Sequence, residues 1–276
     1  MKHPQIQIHA HNNGMLGIDH IAQQSTLRNV APGIKILFTI MLLVLCIAGN
    51  SPTVAILIVL MMFALTVWIG GVPLVSYFRL MRIPAAFLVI GCIVILIQAT
   101  FVPTAYPSLH LLGIYFFITP VSAQEAGTLF LEAYGAIACL YFLSLTTPMQ
   151  EIIGTLEKAY VPALLIELMY LIYRYIFVLL EQQRSMSISA ASRLGNANFK
   201  ASWYSFTHIT GNLLASSFRR SSVCFDAMES RCYDGRIAFL IEKTPIKKTH
   251  IVLFIALAVA VVCTLIFVKS KGWDLF

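Results

Sequence analysis

The chain has 276 residues, 59% of them hydrophobic and 11% charged, with a mean hydropathy of +0.82 and a formal net charge of +7. A soluble globular domain carries about 25% charged residues. This composition therefore excludes a water-covered globule and reads as an integral membrane protein.

In chain order, residues 1–33 are polar and contain no apolar h-region, so they are expected to form a cytoplasmic N-terminal segment rather than a cleavable signal peptide. His3, His9 and His11 have the form of an amino-terminal metal chelate, but a polar tail accounts for them and no metal ligand is assigned. Apolar runs follow at 34–48, 53–69, 85–102 and 126–145, with a last one at 251–268. The expected membrane domain is 34–147 with four spans, and the final transmembrane helix is 250–268 with a tail at 269–276. Several runs are shorter than the roughly 20 residues that a hydrocarbon core demands, so flanking residues must snorkel. Gln98 is expected inside the third span, bonding a neighbouring helix. Glu125 and Glu132 share one face of the fourth span, Glu125 at the interface and Glu132 at a polar contact between helices.

The stretch 162–183 is apolar enough to span, yet it carries Glu167 and Arg174 inside the run and Glu181 at its end. Each mid-helix charge costs about 2.5–3.5 kcal/mol on insertion scales. Loop charges supply an independent argument. No Lys or Arg separates the first and second runs or the third and fourth, whereas Arg79 and Arg82 lie between the second and third, and Lys2 and Arg28 precede the first. That alternation puts the N-terminus in the cytoplasm. The block 148–249 holds twelve of the nineteen Lys and Arg residues, so it too is expected to be cytoplasmic, and 162–183 is read as not spanning.

This block reads as helices. Residues 148–160 form a short amphipathic one opened by Pro148, and a long one begins at Pro162 and stops at Gly195. A third covers 202–232, with an apolar stripe Leu214, Phe218, Phe225, Met228, Cys232 that fits one buried face. The expected fold is an all-α integral membrane protein, with about five transmembrane helices and a cytoplasmic coupling domain of one short and two long amphipathic helices.

Both long helices end in a similar phrase, "AASRLG" and "AMESRCYDG", with Arg193 and Arg231 38 residues apart. The pair resembles the signature of the transmembrane (T) component of energy-coupling-factor (ECF) transporters, which carries two short Ala-Arg-Gly-like motifs at the ends of two coupling helices. The surrounding frame is also similar: "STLRNVAPGIKIL" near the start, "SLTTPMQEIIGTLEKAYVPALLIELMYLIYRYI" in the middle, and "AMESRCYDG" before the last span. The last phrase and "YRYI" look most like the cobalt branch, the CbiQ-type proteins.

The resemblance implies a subunit with no chemistry of its own. It would join two ABC ATPases to a substrate-binding membrane S component that is CbiM-like, with or without a small CbiN-like protein, in the cell membrane. Arg193 and Arg231 would each dock on one ATPase, with Ser192, Leu194, Gly195, Ser230, Cys232 and Gly235 flanking them by position. Leu214, Phe218, Phe225 and Met228 would form the coupling-helix interface, and the same face would contact the S component. The motifs depart from the family pattern, since only the arginines and one nearby glycine in each are kept. No cofactor is expected on this chain, and ATP with Mg would sit on the partner subunits. The given sequence has no G-x-x-x-x-G-K-[ST] loop, nor any Gly-Lys pair.

The alternatives are weaker. An arginine near a helix end can simply complement the macrodipole, but a matched pair within a matching frame is more than that. Eight acids in the basic block leave it too mixed for a nucleic-acid partner or a polybasic tether. A membrane-embedded enzyme would need a constellation such as H-E-x-x-H, which the sequence lacks. A stand-alone secondary transporter would be expected to show one half repeated in the other. The six cysteines lack metal-ligand spacing and read as buried small hydrophobes. Within the resemblance, cobalt, nickel and, less readily, a vitamin all remain open as the transported substrate.

Overall fold

The computed structural model describes residues 19, 21–49, 51–96, 98–100, 109–111, 114–117, 119–235 and 248–271. His3, His9 and His11 lie outside the described residues, as does most of the expected N-terminal segment. The described elements are α1 (Pro32–Gly49), α2 (Pro52–Ala64), α3 (Leu74–Leu96), α4 (Pro120–Thr146), α5 (Met149–Lys158), α6 (Ala163–Ser192), α7 (Phe199–Glu229) and α8 (Lys248–Lys271). A 3-10 turn, Thr26–Asn29, precedes α1, and a π turn, Leu65–Ile69, continues α2. The chain divides into two compact units, one of residues 1–152 and 243–276, the other of 153–242.

In the first unit α4 is the central helix, packed against α1, α2 and α3, while α8 packs on α1 and α2. Lipid is as apolar as leucine, so burial alone does not hold such helices together; close approach of small residues does. Gly135 of α4 shows this, because a Cβ there would stand 2.8 Å from Cys46 Sγ of α1. Phe38 of α1 then sits edge-on to Phe142 of α4 at 6.4 Å and to Phe254 of α8 at 4.8 Å.

Two features of this unit differ from the sequence reading. The third helix starts at Leu74 rather than at 85, and so takes in Arg79, Arg82 and Pro84. Tyr77 and Met81 give its first turns a buried face. Pro84 cannot donate to the carbonyl of Leu80 one turn back, and the hydroxyl of Tyr141 donates to that carbonyl instead at 3.4 Å. The helix also ends early, at Leu96, so Gln98 lies in a strand and not in a membrane helix. Three short strands, Gln98–Thr100, Leu109–Leu111 and Ile114–Phe117, form an antiparallel sheet in the order β1-β3-β2, with Gln98 opposite Phe117.

Among the described residues, five helices are long and apolar enough to cross a membrane: α1, α2 with its π turn, α3, α4 and α6. The described apolar stretch of α8, Phe254–Ile266, is shorter. Length and apolarity thus admit α6, the segment that its internal charges argue against, so the two criteria pull apart on that helix.

The second unit is an antiparallel hairpin of α6 and α7. Three contacts fix its register: Tyr233 with Glu167, Gln182 with Ser216 at 2.7 Å, and Ser205 with Gly195 at 2.9 Å. Each pair sums to nearly the same number, as an antiparallel zip requires.

Candidate functional site

The two arginine phrases end their helices in the same way. At the end of α6 the N–H of Leu194 donates to Ala191 O at 3.1 Å, and that of Gly195 reaches back five residues to Ala190 O at 2.9 Å. After α7 the N–H of Cys232 donates to Glu229 O at 3.0 Å, and that of Tyr233 reaches back five to Met228 O at 3.1 Å. This is the Schellman arrangement, which satisfies the last carbonyls of a helix. It needs one residue in the left-handed region, usually glycine. Here that residue is Leu194 with φ 60° and Cys232 with φ 59°.

The sequence reading gave the stop to Gly195 and to Tyr233-Asp234-Gly235; the left-handed turn comes earlier in both phrases. Gly195 serves a different purpose. A Cβ on it would meet Ser205 Oγ at 2.5 Å and Ala190 O at 2.7 Å, so only glycine allows Ser205 of α7 to approach and donate to its carbonyl. Gly235 has φ +90° with open space around it.

Strained, exposed backbone at two matched positions is a feature that packing alone does not call for. In both phrases the arginine directly precedes the left-handed residue, and Arg193, Leu194, Arg231 and Cys232 are all exposed. The flanking serines are spent locally, Ser192 Oγ on Ile188 O at 3.0 Å and Ser230 Oγ on Ala227 O at 3.0 Å. The structure does not bring the two arginines together. The hairpin register sets Arg231 beside the start of α6 and Arg193 at its end, about 40 Å away at 1.5 Å per residue.

The stripe on α7 corrects the sequence reading. Leu214, Phe218 and Phe225 are 60%, 69% and 59% exposed, so they are not the face packed on α6. The half-buried face is one step round, through Ser205, Ile209, Leu213, Ser216, Cys224 and Met228. Of the four expected interface residues only Met228 faces inward. Serines and aliphatic side chains share the face toward α6, and Leu214, Phe218 and Phe225 are left outside.

Three features escaped the sequence reading. Lys35, inside the first apolar run, is fully buried and donates to Leu27 O at 3.1 Å and Thr146 O at 3.0 Å, with Glu151 supplying an attractive charge. A lone lysine in an apolar run was the available signal. Tyr233 donates to buried Glu167 at 2.9 Å, a pairing across 66 residues that no local pattern announces. Cys232 and Cys263 are exposed free thiols, unlike buried Cys46 and Cys139. As for carboxylates, Glu132 Oε1 is buried without a hydrogen-bond partner among the described residues, while the polar contact between helices at this residue runs from Cys46 Sγ of α1 to the Glu132 backbone carbonyl at 3.5 Å. No group of three His, Cys, Asp or Glu able to hold a metal ion occurs among the described residues.

Comparison with known proteins gives a consistent result. The family model described as CbiQ, cobalt transport protein, matches residues 23–246. An uncharacterised protein of Methanocaldococcus jannaschii is 29% identical over 87% of this chain and 88% of its own length. A Methanocorpusculum labreanum protein whose name describes a fused cobalt transport protein, CbiMQ, is 30% identical over 89% of this chain, which spans 42% of that longer protein. The cobalt transport protein CbiQ of Salmonella typhimurium is 26% identical over 80% of this chain and 98% of its own length.

Proposed function

From the premise that this chain belongs to the CbiQ cobalt transport protein family, we propose that it is the energy-coupling subunit of an ECF-type ABC importer for cobalt ions. It is a multi-pass membrane protein of a transport family. In this reading Arg193 and Arg231 each dock on one of two ABC ATPase subunits, and the membrane unit and the exposed stripe of α7 each contact a CbiM-like S component. The N-terminus and the α6–α7 hairpin face the cytoplasm of the cell in which the protein resides. No cofactor binds this chain; ATP and Mg bind the ATPases.

The observation that carries the reading is the repeated cap. Two helix ends share one backbone design, present one exposed arginine each, and stand at opposite ends of one hairpin. Two matched docking points far apart suit two copies of one ATPase better than they suit a single ligand. An arginine fork makes bidentate bonds to carboxylates and stays ionised at any physiological pH. Closure of the ATPases on ATP would then move both ends of the hairpin at once. The CbiMQ fusion supports a CbiM-like partner, because in that relative the two names share one chain.

The test is co-purification with the ATPases and uptake of labelled cobalt, with labelled nickel alongside. Arg193→Glu and Arg231→Glu should each lower ATPase recovery, and the double variant should abolish both recovery and uptake. Intact assembly and uptake in the double variant would overturn the docking role. For topology, a cysteine label near Tyr175 should not react from the outer face; outer-face labelling would make α6 a span.

A further inference from the structure

Within the hairpin, toward its Tyr233 end, α6 and α7 enclose a groove of about 550 Å³ lined by Tyr170, Arg174, Tyr175, Arg219, Arg220 and Arg231. Four exposed arginines line one groove, and none of them is ion-paired with an acid among the described residues. Like charges held together without counter-charges repel one another, and a bound anion relieves that repulsion. Guanidinium forks match phosphate oxygens bidentately, and tyrosine hydroxyls add neutral donors.

The rest of the lining narrows the ligand. Leu171, Val223 and Met228 give the groove an apolar wall that inorganic phosphate cannot use. The volume falls within the roughly 300–1,000 Å³ range of sites that take organic ligands. The ligand that fits is therefore an amphiphile with an anionic phosphate at one end. For a membrane protein that ligand is at hand, because the cytoplasmic leaflet is rich in anionic lipid.

We propose that Arg174, Arg219 and Arg220 of the hairpin groove bind the phosphate headgroup of an anionic phospholipid, with the glycerol and upper acyl chain against the apolar wall, while Arg231 at the rim is left to the ATPase. The inference rests on the cytoplasmic placement proposed for the hairpin. It makes the hairpin a lipid-binding element as well as a docking one.

The experiment uses the full chain in its purified complex, placed in nanodiscs of phosphatidylcholine with a minor fraction of phosphatidylglycerol. Retained lipid is read by native mass spectrometry after detergent release. The wild type should retain phosphatidylglycerol over phosphatidylcholine, and Arg219→Gln/Arg220→Gln should lose that preference by about tenfold, as expected for lost charge-assisted bonds. Arg174→Gln, on the opposite wall, should reduce it in the same direction. Unchanged melting in pure phosphatidylcholine discs shows that the variants fold. Undiminished phosphatidylglycerol retention in both variants overturns the proposal, and so does full displacement of the lipid by inorganic phosphate, which would assign the groove to the free ion. ATPase recovery is read in the same samples and is expected to be unchanged by Arg219→Gln/Arg220→Gln. A wild-type complex without ATPases would fail the coupling reading, while the lipid measurement keeps its own outcome.

Discussion

The Tyr233 hydroxyl donates to the Glu167 carboxylate at 2.9 Å, joining the residue just after the second arginine motif to the start of α6. Since Glu167 is buried, this bond both satisfies a costly acceptor and holds the Arg231 cap against its neighbour helix. The bond to Glu167 raises the Tyr233 pKa, because a tyrosinate would lose the bond and face a negative charge. The neutral hydroxyl is thus favoured in the folded state. Its contribution is complete below the usual tyrosine value of about 10 and is lost as pH climbs through the raised one. Tyr233→Phe should speed hydrogen exchange around 228–233 and 163–170 at neutral pH, and should flatten the alkaline rise in exchange seen in the wild type. Identical exchange profiles for the two proteins would sink this role.

The left-handed residues of the two caps set up a second prediction. A non-glycine residue in that region carries a cost of about 1–2 kcal/mol, and a β-branched one is worse still. Leu194 and Cys232 occupy it at φ 60° and 59°. Cys232→Gly should therefore be tolerated or mildly stabilising, with ATPase recovery kept. Cys232→Val and Leu194→Val should fray the cap, turn the preceding arginine aside and reduce recovery of the ATPases. Equal recovery with valine and glycine would show that the cap geometry does not matter to docking.

Third, the outer stripe of α7 separates packing from partner contact. A buried Phe→Ala change costs about 3–5 kcal/mol. Phe218 is 69% exposed and Leu214 60%, so Phe218→Ala and Leu214→Ala should change the melting of the isolated subunit by no more than about 0.5 kcal/mol. The same substitutions should weaken assembly with the S component, read as lower recovery of that partner at constant subunit yield. A large loss of stability instead would make the stripe a core face of this chain.

The particular residues explain what the sequence could and could not disclose. Helix-period apolar patterns and Pro or Gly punctuation place α1, α2, the end of α4 and the hairpin helices to within a few residues, because those signals are local, whereas α4 starts at Pro120 rather than at 126. The start of α3 was hidden because Arg79 and Arg82 made "VSYFRLMRIP" look like a loop, and only Tyr141, 57 residues after Pro84, rescues the carbonyl that the proline orphans. The stripe on α7 was legible as a stripe, yet its partner was not: periodicity tells which residues share a face but not what meets that face. The arginines were legible because they recur at helix ends, whereas the shared left-handed cap behind them depends on backbone angles that Leu and Cys do not advertise.

Lys35 carries the last prediction. Its ammonium is wholly buried and donates to Thr146 O at 3.0 Å and Leu27 O at 3.1 Å, so one side chain ties the last turn of α4 to the turn before α1. Burying a charge is itself costly, and a methionine of similar reach could be neutral if nothing else changed. The carbonyl of Thr146 decides the sign. Thr146 is 0% exposed and Lys35→Met would remove the donor to its buried carbonyl, whereas Leu27 O keeps the N–H of Val30 at 3.0 Å. An orphaned buried acceptor costs about 1–3 kcal/mol. Lys35→Met should therefore lower the melting temperature of the purified protein, and Lys35→Gln, which keeps a shorter donor, should recover part of the loss. The lysine also complements the carbonyl end of α4, a site that favours a cation. Wild-type melting in Lys35→Met would mean that the Thr146 carbonyl finds another donor and that Lys35 does not hold the helices together.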